Sequence, residues 1–168
     1  MNYKSAIVLP VDLLVSFLIA AKKQTYANNN AEKISSSRLG SKDYHYEEEI
    51  GGELMKYHDA FFGGVKFIGE EVVYHNSDVP KWGMNYCGIT IDENLSEEAM
   101  DKALRPALMR VGEDNTVLPV RGPSKFENEG YIYTFKSEGA IDNFTGVEEI
   151  YKNGKLVYRL NCHGGFIE

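Results

Sequence analysis

The chain has 168 residues, 43% of them hydrophobic, with a formal net charge of -7 and an isoelectric point near 5.2. This length and apolar content are typical of one globular domain and exclude a disordered chain. The acidic balance argues against binding to nucleic acid or to an anionic membrane. The two cysteines, Cys87 and Cys162, form no disulfide framework and no metal-binding spacing, so we expect a cytoplasmic protein without a metal site or a cofactor.

The first predicted element is an amphipathic helix from residue 11 to about residue 25. Its predicted core face recurs at helical spacing and consists of Val11, Leu14, Val15, Leu18 and Ala21. Asp12, Ser16 and Lys22 are predicted on the polar side of this helix. Pro10 and Asp12 interrupt the apolar run and Lys22 follows it, a pattern that disfavours a signal peptide.

The next segment, residues 28–42, is rich in Ser and Asn and nearly free of apolar side chains. We expect an exposed loop, which serves either as a lid over a pocket or as a mobile connector. After it, strands are predicted at residues 44–46, 54–62, 67–74 and 81–90, and these form an antiparallel meander.

A second helix is predicted to begin with Ser96 as its N-cap and to reach about residue 111. Pro106 lies inside it and predicts a kink or a break, because proline removes a helical hydrogen bond. A second meander follows, with strands at residues 131–136, 146–151 and 156–162.

Two hairpin sequences repeat each other: FIGEEVVYHNSDVPKWGMNYCG begins at Phe67, and FTGVEEIYKNGKLVYRLNCHG begins at Phe144. The aligned pairs are Phe67 with Phe144, Gly69 with Gly146, Glu71 with Glu148, Tyr74 with Tyr151, Asn76 with Asn153, Trp82 with Tyr158, Asn85 with Asn161 and Gly88 with Gly164. This pattern predicts a degenerate duplication of a helix followed by a meander, with halves at about residues 10–92 and 95–168 of a single domain, 1–168. The expected fold class is α+β, an antiparallel sheet with two packed helices.

The hairpin pattern places Glu71 and Glu148 at equivalent positions, which are predicted to face inward. They form structural ion pairs with Arg38 or Arg121, stay unpaired as an acid/base pair, or simply lie at the surface, and an ion pair or a surface position is favoured over catalysis. Arg121 begins an Arg-Gly-Pro-Ser-Lys stretch, which lacks the glycine spacing of a phosphate loop. Two roles are open for Arg121: it holds a ligand carboxylate, or it forms an ion pair with Glu148.

We expect any ligand cleft near the pseudo-twofold axis, where the two halves meet. The side chains predicted to line it are Arg121, Glu71, Glu148, Trp82, Tyr86, Tyr74, Asn85 and Asn161. Tyrosine suits such a pocket because it combines an apolar body with a polar tip, although the same aromatic residues also suit an ordinary core. Cys162 and the adjacent His163 point to opposite faces of their strand, so no catalytic cysteine–histidine pair is expected.

Several segments also carry a family resemblance, namely AKKQTYA, SKDYHYEE, FFGGVKFIGEEVVY, WGMNY, RGP, FTGVEEIYKNGKLVY and HGG, in this order. From about residue 14 to residue 167 the chain resembles the bacterial family DUF5680. Members of that family are sometimes joined to, or described as, helix-turn-helix regulators of the XRE type. The present sequence has no pattern for a recognition helix preceded by a short helix and a turn, so direct DNA binding is not expected. The resemblance supports the fold boundaries and implies no activity.

The leading hypothesis is a small-ligand-binding or sensing domain that uses the aromatic cleft. A small enzyme with Glu71 or Glu148 as general base is the first alternative, and a protein-interaction or homodimerisation module that uses an exposed sheet edge is the second. A water-poor pocket with an unpaired carboxylate would favour the enzyme, whereas a closed core with an exposed apolar patch would favour the interaction module.

Overall fold

The computed structural model describes residues 8–168, which form an antiparallel sheet of eight strands with helices on one face. In chain order the elements are α1 (Val11–Gln24), β1 (Lys42–Ile50), β2 (Glu53–Gly63), β3 (Lys66–His75), β4 (Pro80–Thr90), a second helical segment, β5 (Lys125–Asn128), β6 (Tyr131–Ala140), β7 (Asn143–Lys152) and β8 (Lys155–Phe166). The second helical segment consists of the 3-10 turn Glu93–Leu95, α2 (Ser96–Ala99), the π-helical turn Met100–Leu104 and α3 (Arg105–Leu108). The predicted α+β class is confirmed.

The strand order is β1-β2-β3-β4-β8-β7-β6-β5, so each half of the chain contributes a four-stranded meander and the meanders join along β4 and β8. This central pair runs from Trp82 opposite Phe166 to Thr90 opposite Tyr158. The helices cover one face of the sheet, called the inner face below, and the core lies between them. The opposite face is called the outer face. β1 and β5 form the two edges, and dimerisation through an edge stays a prediction.

The predicted strands are all present, and most extend beyond their predicted bounds. The structure adds one strand that was not predicted, β5 (Lys125–Asn128). Its four residues alternate exposed and half-buried side chains, and so short a segment carries little periodic signal.

Helix α1 has the predicted bounds to within a residue, but two of its side chains lie elsewhere than predicted. Val11 is 47% exposed instead of buried. Lys22, predicted on the polar side, lies on the core face beside Leu18 and Ala21 and is 7% exposed. A buried ammonium needs an anionic partner, and this partner is Glu71 of β3.

The second helical segment begins before Ser96 and continues through Pro106. The Asp92 carboxylate accepts a hydrogen bond from the backbone N–H of Asn94, so it caps the first turn, and Ser96 lies inside the segment. Pro106 cannot donate to the carbonyl of Lys102, and the chain widens into a π-helical turn just before it. The side-chain amide of Asn128 donates to that carbonyl at 2.9 Å, which compensates for the missing bond.

The two meanders share several backbone details. Their hairpin turns place Asn76 and Asn153 at a φ of 50°. The register shifts immediately before Tyr74 in the first meander and immediately before Tyr151 in the second. These positions are aligned pairs in the repeated hairpin sequences.

Aromatic rings cover glycines of the neighbouring strand at corresponding places in both meanders. A Cβ atom at Gly88 would lie 2.3 Å from the ring of Phe67, and one at Gly164 would lie 3.0 Å from the ring of Phe144. A side chain at Gly88 would have to displace the Phe67 ring, and one at Gly164 would also collide with the backbone of β4, 2.4 Å from the carbonyl oxygen of Gly83.

Candidate functional site

A cavity of about 440 Å³ lies between the helices and the inner face of the sheet. Its aromatic lining consists of Tyr26, Tyr44, Tyr57, Phe61, Phe67, Tyr86 and Tyr158. The second helical segment adds Met100 and Leu104, and α1 adds Lys22. A concave and largely apolar pocket of this size is typical of sites that bind small organic molecules.

Beneath the cavity, Glu148 of β7 is fully buried and is bonded through both of its oxygens. Arg121 donates two hydrogen bonds to it, from Nε to Oε2 at 2.9 Å and from Nη2 to Oε1 at 2.7 Å. The hydroxyls of Tyr133 and Tyr158 also donate to it, at 2.6 and 2.9 Å. Because every lone-pair direction of this carboxylate has a donor, Glu148 anchors the floor of the cavity and is not free to act as a base.

Glu71 of β3 also forms a buried ion pair, but with a different cation. The Lys22 ammonium donates to its Oε2 atom, and the two side chains are 7% and 4% exposed. Its Oε1 atom lies 4.0 Å from Nη1 of Arg121. Arg38, the other partner considered from the sequence, instead pairs with Glu70 on the outer face at 2.6 Å. Glu71 and Glu148 therefore both face inward and both form ion pairs.

Asp59 of β2 is the third buried carboxylate at the cavity, and it is 3% exposed. It accepts a hydrogen bond from the Tyr86 hydroxyl at 2.7 Å and lies opposite Glu71 in the strand register. Within residues 8–168, no lysine or arginine lies within ion-pair distance of it. Burial, reinforced by the charge of Glu71, raises the pKa of Asp59 to about 7. A carboxyl group with this pKa can gain or lose a proton near neutral pH.

The corresponding positions of the second meander hold apolar side chains. In the strand register, Phe135 occupies the position of Asp59, and Cys162 occupies that of Tyr86. Phe135 is fully buried and its ring covers Gly146. This fold can therefore pack well without a carboxylate and a phenol at these two positions.

Replacing Asp59 with Asn should make the protein more stable at high pH. The pKa of Asp59 is about 7 when folded against an ordinary 3.8, so the folded protein holds the extra proton between these values and loses stability as the pH rises through them. Asp59→Asn should match the wild type near about pH 4 and exceed it by a few kcal/mol near about pH 8. Urea unfolding at both pH values measures the difference. A gap that does not change with pH would contradict the raised pKa, and Glu70→Gln on the outer face is the control.

Four of the side chains predicted to form the site are brought together. Arg121, Glu71 and Tyr86 line the cavity, and Glu148 lies directly beneath it. Trp82 is not among them. It is fully buried in the core, where its ring stacks on Phe144 with centroids 6.0 Å apart and its Nε1 donates to the Ile141 carbonyl at 2.9 Å.

The remaining three predicted residues lie on the outer face. Asn85 and Asn161 are exposed there, and Tyr74 is half-buried there. The physical reason is the alternation of strand side chains, which sends Asn85 to the face opposite its neighbour Tyr86. The structure thus does not join the predicted amide groups to the aromatic lining of the cavity.

Lys22 and Asp59 are the two charged residues of the site that were missed. Lys22 follows the apolar run of α1, and only its tertiary partner Glu71 shows that it points inward. Asp59 did have a signal in the sequence. It shares an alternating face of β2 with Met55 and Tyr57, and a carboxylate on an otherwise apolar face is unusual.

Cys162 and His163 diverge, as strand alternation requires. Cys162 is buried on the inner face, where burial raises the pKa of its thiol to about 12. His163 is exposed on the outer face. The two side chains cannot act together as nucleophile and base.

The loop at residues 28–42 is exposed over most of its length and is ordered around the buried side chain of Asp43. Asp43 is bonded to the Ser41 hydroxyl, to the backbone N–H of Ser37 and to the His58 ring. Burial alone would raise the pKa of Asp43, but these hydrogen bonds outweigh burial and hold the pKa well below its usual range. Lys33 from the same loop reaches the mouth of the cavity, while the choice between a lid and a connector stays open.

A family model described as "Domain of unknown function (DUF5680)" matches residues 59–167, about two thirds of the chain. The chain belongs to this family, as its motifs predict. The match begins at Asp59 and includes Glu71, Arg121 and Glu148, whereas α1 with Lys22 lies outside it. The comparisons with curated proteins and with solved structures gave no match. No helix in the described part of the chain is long and apolar enough to cross a membrane.

Proposed function

We propose that this protein binds a small organic molecule in the cavity between the helices and the sheet. The ligand's apolar or aromatic body packs against the ring-lined walls, and its polar group meets Asp59 and Tyr86. Pockets that combine an apolar lining with a few convergent polar groups are the usual form of small-molecule sites. Binding or sensing is thus the leading function.

The observation that carries this proposal is the Asp59–Tyr86 pair. Burying a carboxyl group costs free energy, and the second meander fills the corresponding positions with Phe135 and Cys162. A costly polar pair that the architecture does not need, placed against a cavity, supports a role in ligand recognition.

A thermal-shift screen against a metabolite library tests the proposal. A ligand at about a hundred times its dissociation constant should stabilise the protein by about 2.7 kcal/mol, which raises its melting temperature by several degrees. Tyr86→Phe removes the hydroxyl that bonds Asp59 and should weaken binding of the hit.

Tyr74→Phe is the matched control for this screen, because it removes a tyrosine hydroxyl from the outer face of the same sheet. Its thermal shift with the hit should equal that of the wild type. Equal loss of the shift in both variants would place the site elsewhere, and a broad library without any hit would contradict ligand binding.

Acid/base catalysis in the same cavity is the second candidate function. Glu71 and Glu148 are occupied by Lys22 and Arg121, so the role of general base passes from them to Asp59, whose pKa is about 7. Incubation of a screening hit with the wild type, followed by mass spectrometry, separates the two functions. Turnover that Asp59→Asn abolishes while the hit still binds indicates an enzyme, and recovery of the unchanged hit indicates a binding domain.

We further propose that the two meanders arose by duplication and that the protein works in a reducing cytoplasm. The shared φ of Asn76 and Asn153 and the equivalent register shifts support the duplication. A sequence profile built from the first halves of many family members should detect their second halves, and failure to do so would contradict it. Cys87 and Cys162 are free thiols, which suits a reducing compartment, and fractionation of the native host tests that location.

A further inference from the structure

We propose that the binding group of the ligand is a cation, an ammonium carried by an aromatic or alicyclic body, which pairs with Asp59. This inference rests on the proposed function, because it names the class of ligand for the same cavity. It follows from the count of buried charges, from the aromatic surroundings of Asp59 and from the position of the remaining cations.

The buried charges at the cavity do not balance. Among residues 8–168, two buried cations, Lys22 and Arg121, face three buried carboxylates, Asp59, Glu71 and Glu148. The short Lys22 contact engages Glu71, and the two-bond Arg121 contact engages Glu148, which leaves Asp59 with the neutral phenol of Tyr86. An ionised Asp59 therefore lacks one positive charge, and an uncompensated buried charge is strongly unfavourable.

A bound ammonium supplies the missing charge, whereas a bound anion would add to the imbalance. With a cation in place, Asp59 can ionise and the site becomes neutral. A neutral ligand leaves Asp59 protonated and gains only a hydrogen bond. The charge count thus ranks the three classes of ligand, with cations first and anions last.

Aromatic rings lie around Asp59 on its own strand, on the neighbouring strand β1 and, two strands away, on β4. Tyr57 and Phe61 flank it on the inner face of β2, Tyr44 of β1 lies opposite it, and Tyr86 of β4 bonds to it. An ammonium over the faces of such rings is attracted by their negative π surfaces, more strongly so where water is excluded.

The cations at the mouth of the cavity do not reverse this ranking, since two of them stand in solvent and the third, the half-buried Arg105, is already paired. Lys33 and Lys42 are exposed, and Lys42 donates to the Gly63 carbonyl at 3.0 Å. Arg105 pairs with Asp101 at 2.5 Å. Charges in contact with water are screened, so the buried floor dominates the choice of ligand.

Binding of the cation is coupled to the protonation of Asp59. The charged and titratable groups facing it are Tyr44 from β1, Tyr57 from its own strand, Glu71 from β3, Tyr86 from β4, Lys22 from α1 and Arg121 from the loop before β5. Asp59 changes charge near neutral pH, so an entering ammonium releases the proton that Asp59 carries. Affinity for the cation should therefore rise by about tenfold between about pH 6 and about pH 8.

Matched probe triplets test this inference by isothermal titration calorimetry. Tryptamine, tryptophol and indole-3-propionate form one triplet, in which the same indole body carries an ammonium, a hydroxyl or a carboxylate. At about pH 8 the amine keeps its proton, and it should bind about tenfold or more tightly than the alcohol. Its binding heat at about pH 6 should differ between phosphate and ACES, two buffers that both take up protons near this pH but differ in their heat of ionisation, because the released proton is taken up by the buffer.

Two variants locate the effect. Asp59→Asn should lose the preference for the amine and keep the binding of the alcohol. Glu70→Gln, which neutralises a carboxylate on the outer face, should bind the whole triplet as the wild type does. The buffer dependence of the binding heat needs only the wild-type protein. It therefore tests proton release on amine binding even if Asp59→Asn does not fold.

Tighter binding of the alcohol or the carboxylate, or amine binding without proton release, would overturn the inference and leave ligand binding in the cavity standing. Failure of all three indole probes to bind would also overturn it. The library screen then judges the proposed function separately, because a hit of another charge class satisfies that screen.

Discussion

Arg121→Met should cost about 3–5 kcal/mol of stability, because it leaves the Glu148 carboxylate buried without its cation. Glu148 is 0% exposed, and Arg121 supplies two of its hydrogen bonds. The methionine keeps an unbranched apolar stem and removes the guanidinium with its charge and its donors. Urea unfolding at about pH 7 measures the loss as a fall in the free energy of unfolding.

The double variant Arg121→Met/Glu148→Gln should be more stable than Arg121→Met alone, because the orphaned charge is removed and the glutamine amide can accept from one of the hydroxyls of Tyr133 and Tyr158 and donate to the other. Arg38→Met is the control, since it breaks an exposed ion pair with Glu70 and should change stability little. A small loss for Arg121→Met, equal to that of Arg38→Met, would contradict the anchoring role of the buried pair.

Trp82→Ala should also cost about 3–5 kcal/mol, because it opens a large cavity in a packed core. Trp82 is fully buried, stacks on Phe144 and donates to a backbone carbonyl, so its removal also leaves the carbonyl of Ile141 without that donor. The melting temperature should fall by many degrees.

Tyr74→Ala is the matched aromatic truncation on the outer face and should lower stability much less. The milder variant Trp82→Phe should stay folded and bind a screening hit with wild-type affinity, because Trp82 lies in the core and not in the lining of the cavity. Loss of ligand affinity in Trp82→Phe would show that Trp82 contributes to the binding site.

The sequence predicted the two helices, most of the strands and the inward orientation of Glu71 and Glu148. These features have local causes, namely the spacing of apolar residues and the two-residue alternation of strands. The tie between Arg121 and Glu148 was also among the alternatives considered, and the structure shows it.

The rest of the site depends on contacts between residues distant in the chain. Lys22 and Glu71 are separated by 49 positions, and no periodicity reveals that they meet. Asn85 and Asn161 were placed in the cleft because they are aligned in the repeated hairpins, although alternation alone sends them to the outer face. Asp59 was overlooked because a single carboxylate in a strand usually faces solvent, although its alternation with Met55 and Tyr57 already places it on an apolar face.

The most direct test of the central claim uses nuclear magnetic resonance of protein labelled with ¹³C at its methionine methyl groups. Met100 lines the cavity, whereas Met109 lies beyond α3 and is 38% exposed. Saturation with a hit from the screen should shift the Met100 signal and leave the Met109 signal in place. A hit that shifts Met109 and leaves Met100 unmoved would contradict binding in the cavity.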